Sequence, residues 1–212
     1  MILGGDALDR LRRSHVAVFG LGGVGSYVVE ALCRAGVGEL TLIDGDTVSV
    51  TNINRQLYAL HSTVGQSKAE AAAARCRDIC PDTVVHPIVG IIDLVSCKLD
   101  LIQQARERRI PILTALGTGN KLQPELLTIT DIAKTSGCPL ARVMRKELRG
   151  RGIHHLKVAF SPEQPGQTQQ LETPPPGRRS VPASVSWVPP VAGLLMAGTV
   201  VQDLLNGGGL IP

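Results

Sequence analysis

The chain has 212 residues, room for one sizeable domain and too few for two full enzymatic ones. Hydrophobic residues make up 43% and charged residues 19%, a globular balance that excludes disordered, collagen-like and coiled-coil chains. Only five aromatic residues occur (Phe19, Tyr27, Tyr58, Phe160, Trp187), so the core must be aliphatic, and RNA binding by rows of stacked rings is ruled against.

The formal charge of +4 is unevenly placed: Arg142, Arg145, Lys146, Arg149, Arg151 and Lys157 face one acid, Glu147, a local +5 that leaves the rest of the chain at −1. Such a run suits a polyanion. The five cysteines, Cys33, Cys76, Cys80, Cys97 and Cys138, are odd in number and contain no C-x-x-C pair, so neither a disulfide framework nor a zinc site follows. The first twenty residues lack the ordered basic, apolar and small-residue regions of a signal peptide, which predicts a cytoplasmic protein.

In chain order, His15 to Gly20 is an apolar run ending in glycine, followed by a helical pattern through Val24, Val28, Val29, Leu32 and Ala35 that Gly36 stops. Leu40 to Asp44 is a second buried strand. Strand, glycine loop, helix and strand predict a Rossmann-like α/β fold with a doubly wound, mainly parallel sheet. A helix is expected from Gly65 to Ile79, a strand over Thr83–Val89, a helix over Val95–Arg109 and a strand over Ile110–Ala115. A further strand over Leu126–Ile132 and a basic helix over Arg142–Arg149 follow. The Pro-rich stretch Gln164–Pro182 reads as a loop, and Val188–Leu205 as a buried helix, long enough to leave a membrane span open on length alone. The chain divides into a nucleotide-binding core, 1–135, and a C-terminal part, 136–212, that completes the same domain. One junction resists a parallel sheet: Val84–Val89 runs almost directly into Ile91-Ile92-Asp93, where a crossover takes a dozen or more residues. Either these form one strand or a crossover segment is absent.

The loop Gly20-Leu21-Gly22-Gly23-Val24-Gly25-Ser26 fits G-x-G-x-x-G between strand and helix, where phosphate can approach backbone N–H groups. Asp44, nineteen residues after Gly25, is placed to accept hydrogen bonds from a ribose. Polar and cationic groups then continue through Asp46, Asn52 and Arg55 to Lys68. A dinucleotide dehydrogenase needs no such set, whereas Asn52, Arg55 and Lys68 suit the phosphates of ATP.

GLGGVGS, LTLIDGDTVSVTNINRQ and the T-V-G-Q-S-K segment ending at Lys68 together resemble the ATP-binding core of the family that adenylates the carboxylates of ubiquitin-like and sulfur-carrier proteins. TALGTGNKLQPELLTITDIAKTSGCPLARVMRKELRGRGI and SVSWVPPVAGLLMAGTVVQDLL are similar to its tRNA threonylcarbamoyladenosine dehydratase branch. The resemblance implies an ATP- and Mg²⁺-dependent enzyme. Gly20, Gly22, Gly23, Gly25 and Ser26 would surround the phosphates and Asp44 would hold the ribose, with Asp46 beside it. Asn52, Arg55 and Lys68 would contact phosphates, and Asp93 would bind magnesium; as the residue before a helical pattern, Asp93 is equally a helix N-cap. It further implies a homodimer and a cysteine-desulfurase sulfur-relay partner. The basic run and Arg178 and Arg179 would meet the tRNA backbone.

Two features depart from the family. Its arginine upstream of Leu3-Gly4-Gly5 has no match here, leaving Arg10, Arg12 and Arg13 as imperfect substitutes, and its extra helix and the start of the following strand ahead of Asp93 are missing. Cys138 could be a nucleophile or a small apolar residue packing a loop. Two other functions compete: adenylylation of a sulfur carrier, which the lack of paired C-x-x-C motifs disfavours, and non-catalytic binding of ATP or NAD.

Overall fold

The computed structural model describes residues 2–90, 95–166 and 183–207. Asp93, Arg178, Arg179 and most of the Pro-rich stretch therefore lie outside the described residues.

Helix α1 (Gly5–Arg12) leads into β1 (His15–Phe19), α2 (Gly25–Arg34) and β2 (Glu39–Ile43). The chain leaves α2 through Gly36, whose φ of 86° only glycine adopts freely, while the Val37 N–H returns to the Leu32 carbonyl at 3.2 Å. Helix α3 (Lys68–Ile79) and β3 (Val84–Ile88) follow, and the three strands form a parallel sheet in the order β1-β2-β3. Pro87 is tolerated because β3 lies at the outer edge of this sheet, where a missing N–H costs no ladder bond. Val18, Leu40 and Leu42 meet Val28, Val29 and Leu32 of α2 and the alanines of α3 in one core. The other face carries a polar ladder in which His15 bonds the Thr41 hydroxyl at 2.7 Å and His86 bonds Glu39 at 2.8 Å.

Helix α4 (Val95–Glu107) and α5 (Pro139–Gly150) enclose a second core built on Leu99, Ile102, Met144, Leu148 and Val158. It lies on a second sheet, β4-β6-β5, with β4 (Leu113–Ala115) parallel and β5 (Thr128–Asp131) antiparallel to β6 (Lys157–Phe160). The parallel, Rossmann-like arrangement expected from the sequence is present, but among the described residues it is divided into two three-stranded sheets. The reason lies at the short junction. Val84–Ile88 is a single strand and α4 opens at Val95, too short a span for the crossover that another parallel strand would need. Sequence patterns also missed α1 and β6, and the strand read over Leu126–Ile132 is β5 alone, flanked by 3-10 turns at Pro124–Leu126 and Ile132–Lys134.

Helix α6 (Val188–Leu205) joins the two halves, packing on α1 and α2 on one side and on all three strands of the second sheet on the other. It is long and apolar enough to cross a membrane, but its Ala192, Gly193 and Ala197 face is buried inside the protein. Arg10 donates to the Leu205 carbonyl and so compensates the negative end of α6.

At Gly193 the two helices touch backbone to backbone: a Cβ there would lie 2.4 Å from the Val24 carbonyl oxygen and 2.8 Å from Tyr27 Cβ. Gly193→Val should therefore cost about 3 kcal/mol of unfolding free energy, read as a lower urea midpoint at unchanged slope.

Candidate functional site

The glycine loop emerges at the carboxyl end of β1, and its geometry is fixed by close contact. A Cβ on Gly25 would sit 1.9 Å from the Gly20 carbonyl oxygen, so only glycine lets α2 start this near the strand. Gly20 itself has φ of 82° and donates to the Ile43 carbonyl at 2.9 Å, which locks the loop to the end of β2. Ser26, 1% exposed, accepts from the Leu57 N–H at 3.3 Å.

Asp44 stands at the end of β2. Its carboxylate accepts the Leu21 N–H at 2.6 Å on one oxygen and the Asp46 N–H at 2.8 Å on the other. Each oxygen keeps a lone pair, as a ribose hydroxyl would require. Tyr58, a residue the sequence did not single out, is 4% exposed and donates its hydroxyl to the Leu21 carbonyl. Burial, then the charge of Asp44, pushes its phenol far above the ordinary range, so it remains a neutral donor that braces the loop.

Lys68, 6% exposed at the start of α3, places its ammonium 2.6 Å from Asp46. The two residues predicted for the nucleotide are therefore held together, and Lys68 reaches a phosphate only by sharing or exchanging Asp46. Asn52 uses its carbonyl oxygen to accept the Ser49 N–H at 3.1 Å, which leaves its amide N–H₂ for a ligand. The Arg55 guanidinium donates from a single nitrogen, Nη1, to the Thr51 carbonyl and to Asn54 Oδ1, both at 2.9 Å. Burial lowers its pKa, and no carboxylate pairs with it among the described residues. A cation desolvated without a counter-charge, one nitrogen fixed and its other edge unengaged, is suited to an anion.

Gln56, also missed from the sequence, supplies the strongest sign of an absent ligand. It is 5% exposed, its Oε1 has no hydrogen-bond partner among the described residues, and its Nε2 lies 3.6 Å from where a Gly22 Cβ would be. A buried acceptor beside the glycine loop costs stability unless a donor such as a nucleotide hydroxyl or amine fills it. The described residues contain no group of three His, Cys, Asp or Glu able to hold a metal, and Asp93 is not among them.

The basic run is only partly a surface feature. Arg145 donates to the Thr135 carbonyl at 2.7 Å, Arg151 pairs with Asp100 at 2.6 Å, and Lys157 pairs with Asp203 at 2.7 Å. Arg151 and Lys157 spend their charge on acids from outside the run, invisible in its local balance, while Arg145 is tied to neutral oxygens of Thr135. Arg142, Lys146 and Arg149 remain exposed and, spaced four and three apart on α5, form one stripe. Cys138 is 5% exposed at the N-terminus of α5 and packs in the second core.

Fold and glycine loop together define a class: a Rossmann-like α/β protein of the nucleotide-binding type, with a buried carboxylate, Asp44, and the cations Arg55 and Lys68 gathered around the loop. The ThiF family model matches residues 1–206, and the chain belongs to the ThiF family. A tRNA threonylcarbamoyladenosine dehydratase of Bacillus subtilis is 38% identical, over 97% of this chain and 92% of the relative. That match aligns 235 positions against about 206 residues here (97% of 212), so about 29 positions of the relative face no residue of this chain. The structure of the E. coli tRNA N6-threonylcarbamoyladenosine dehydratase in complex with ATP superposes with a TM-score of 0.86 at 31% identity, over 97% of this chain and 91% of that one. The E. coli molybdopterin-synthase adenylyltransferase is 41% identical, over only 42% of this chain and 35% of its own.

Replacing Gln56 by Met, which has the same length and no polar atom to satisfy, should leave the melting temperature of the ligand-free protein unchanged or raised. The same change should weaken ATP about ten-fold in calorimetry, the loss of roughly one buried hydrogen bond.

Proposed function

We propose that this chain is an ATP-dependent tRNA threonylcarbamoyladenosine dehydratase. The observation that carries the reading is the extent of likeness: similarity to the dehydratases runs through both halves of the chain, whereas similarity to the sulfur-carrier adenylyltransferase stops within less than half of it. The absence of paired C-x-x-C motifs points the same way.

ATP enters with its phosphates over the glycine loop, where backbone N–H groups at the start of α2 face them, and with its ribose on Asp44. The threonyl carboxylate of the modified adenosine attacks the α-phosphorus and pyrophosphate leaves. Arg55, with its unengaged edge, and Lys68, released from or shared with Asp46, neutralise the charge that builds on the leaving group. The side chain's own carbamoyl group then attacks the activated carbonyl, the ring closes and AMP departs. No nucleophile from the protein is needed, thiol included, which agrees with the burial of Cys138; the chain positions the reactants and stabilises charge.

Mg²⁺, when bound, would supply positive charge that favours departure of pyrophosphate. Asp93 is the residue we assign to it, on the resemblance that puts it where the family has its magnesium-binding aspartate. The tRNA backbone would lie along Arg142, Lys146 and Arg149. A homodimer, a cysteine-desulfurase sulfur-relay partner and a cytoplasmic location complete the reading.

Incubated with ATP and tRNA bearing threonylcarbamoyladenosine, the protein should yield a nucleoside lighter by one water; mass spectrometry that finds the nucleoside intact, with pyrophosphate exchange driven instead by a carrier protein, would select the adenylyltransferase. Reversing Arg142, Lys146 and Arg149 to Glu should flatten the dependence of log affinity on log salt by roughly two to three units, about 0.9 per phosphate contact. Reversing Arg145 and Lys157 should chiefly lower the melting temperature.

A further inference from the structure

The nucleotide side of the molecule is connected to the loop after β4 by a continuous line of hydrogen bonds. Arg55 Nη1 donates to Asn54 Oδ1 at 2.9 Å, and Asn54 Nδ2 donates to the Ser184 carbonyl at 2.8 Å. The amide orientation is the only consistent one, because a guanidinium needs an acceptor and a carbonyl needs a donor. Next to Ser184, Ala183 is held twice by Asn120: its N–H donates to Asn120 Oδ1 at 2.8 Å and its carbonyl accepts the Asn120 N–H at 2.8 Å. The Asn120 carbonyl in turn accepts the Gly166 N–H at 2.8 Å.

Asn120 has φ of 58°, the left-handed region that asparagine tolerates and branched residues do not. That conformation lets one residue present N–H, carbonyl and side-chain oxygen to two distant pieces of chain. The neighbours reinforce it: the Glu163 carboxylate accepts the Leu122 and Gln123 N–H groups at 2.8 and 3.0 Å, and Trp187 Nε1 donates to the Leu122 carbonyl at 2.9 Å. The same Nη1 is also held by the Thr51 carbonyl at 2.9 Å; the second acceptor, Asn54 fixed on Ser184, narrows the guanidinium to one orientation.

We infer that Asn120 is a positioning residue for the nucleotide site: acting through Ala183, Ser184 and Asn54, it sets the orientation in which Arg55 meets the phosphates of ATP. This rests on the reading of the site as ATP-binding. Asn120→Gly keeps the backbone conformation and removes only the side-chain bond, whereas Asn120→Asp keeps both an acceptor for the Ala183 N–H and tolerance of positive φ.

The test is calorimetric titration of the full chain with ATP–Mg²⁺, with the melting temperature recorded for each variant. Asn120→Gly and Asn54→Ala should each weaken ATP roughly ten-fold, while Asn120→Asp restores affinity to within about two-fold of wild type. In the Arg55→Ala background, Asn120→Gly should cause no further loss, the non-additivity expected if it acts through that guanidinium. Equal affinity in wild type and Asn120→Gly, or an undiminished further loss without Arg55, overturns the inference and leaves the ATP reading standing. A wild-type chain that binds no ATP overturns the ATP reading itself and this inference with it.

Discussion

Everything in this molecule depends on one helix lying close to another. Where α6 crosses α2, Gly193 brings its backbone against the Val24 carbonyl and the Tyr27 side chain, at a separation no larger residue permits. Ala197 belongs to the first core, and Ala192 and Val188 meet Leu127 beside the second sheet, so the same helix spans the two halves. Among the described residues the strands form two separate ladders, so backbone hydrogen bonds there do not join the halves into one sheet. Side-chain packing on α6 does that work, and it carries Ser184 and Trp187, just ahead of the helix, into contact with Asn54 and Leu122.

The site is built on the rigid ends of β1 and β2 and inherits its geometry from them. Gly20 is bonded to β2, Asp44 grips the loop at Leu21, and Tyr58 braces the same residue from the other side. Against this scaffold stand groups left unsatisfied: a buried acceptor on Gln56 and a desolvated guanidinium on Arg55 without a carboxylate. An unpaired buried acceptor is expensive inside a protein, which applies to Gln56; Arg55 is only half-buried, and both lie beside the glycine loop, against Gly22 and Gly23. Lys68 differs, since Asp46 already neutralises it. Its charge is available to substrate only through exchange, which makes it a responsive partner where Arg55 is a fixed one.

Much of this was legible in the chain. The run HVAVFG, the glycine spacing and Gly36 define β1, α2 and its end because local chemistry alone dictates them. The abrupt passage from Val89 to Ile91 leaves little room for a parallel crossover, and among the described residues the strands before and after it belong to separate sheets. What escaped the sequence has meaning only in three dimensions. Gln56 and Tyr58 are ordinary polar residues until the fold sets them against Gly22 and Leu21. The basic run looked uniform because Asp100 and Asp203, which neutralise Arg151 and Lys157, are far away in sequence. β6 is four residues long, too short to show an alternation, and takes its identity from pairing with β4 and β5.

The central claim is that the substrate's own carboxylate is adenylated and that ring closure then expels AMP. Following oxygen decides it. With tRNA whose threonylcarbamoyladenosine carboxylate carries ¹⁸O, a single turnover with ATP should deliver one ¹⁸O into the phosphate of AMP, and the cyclised nucleoside should retain the other. Label appearing in inorganic phosphate or in water, with AMP unlabelled, would contradict the account.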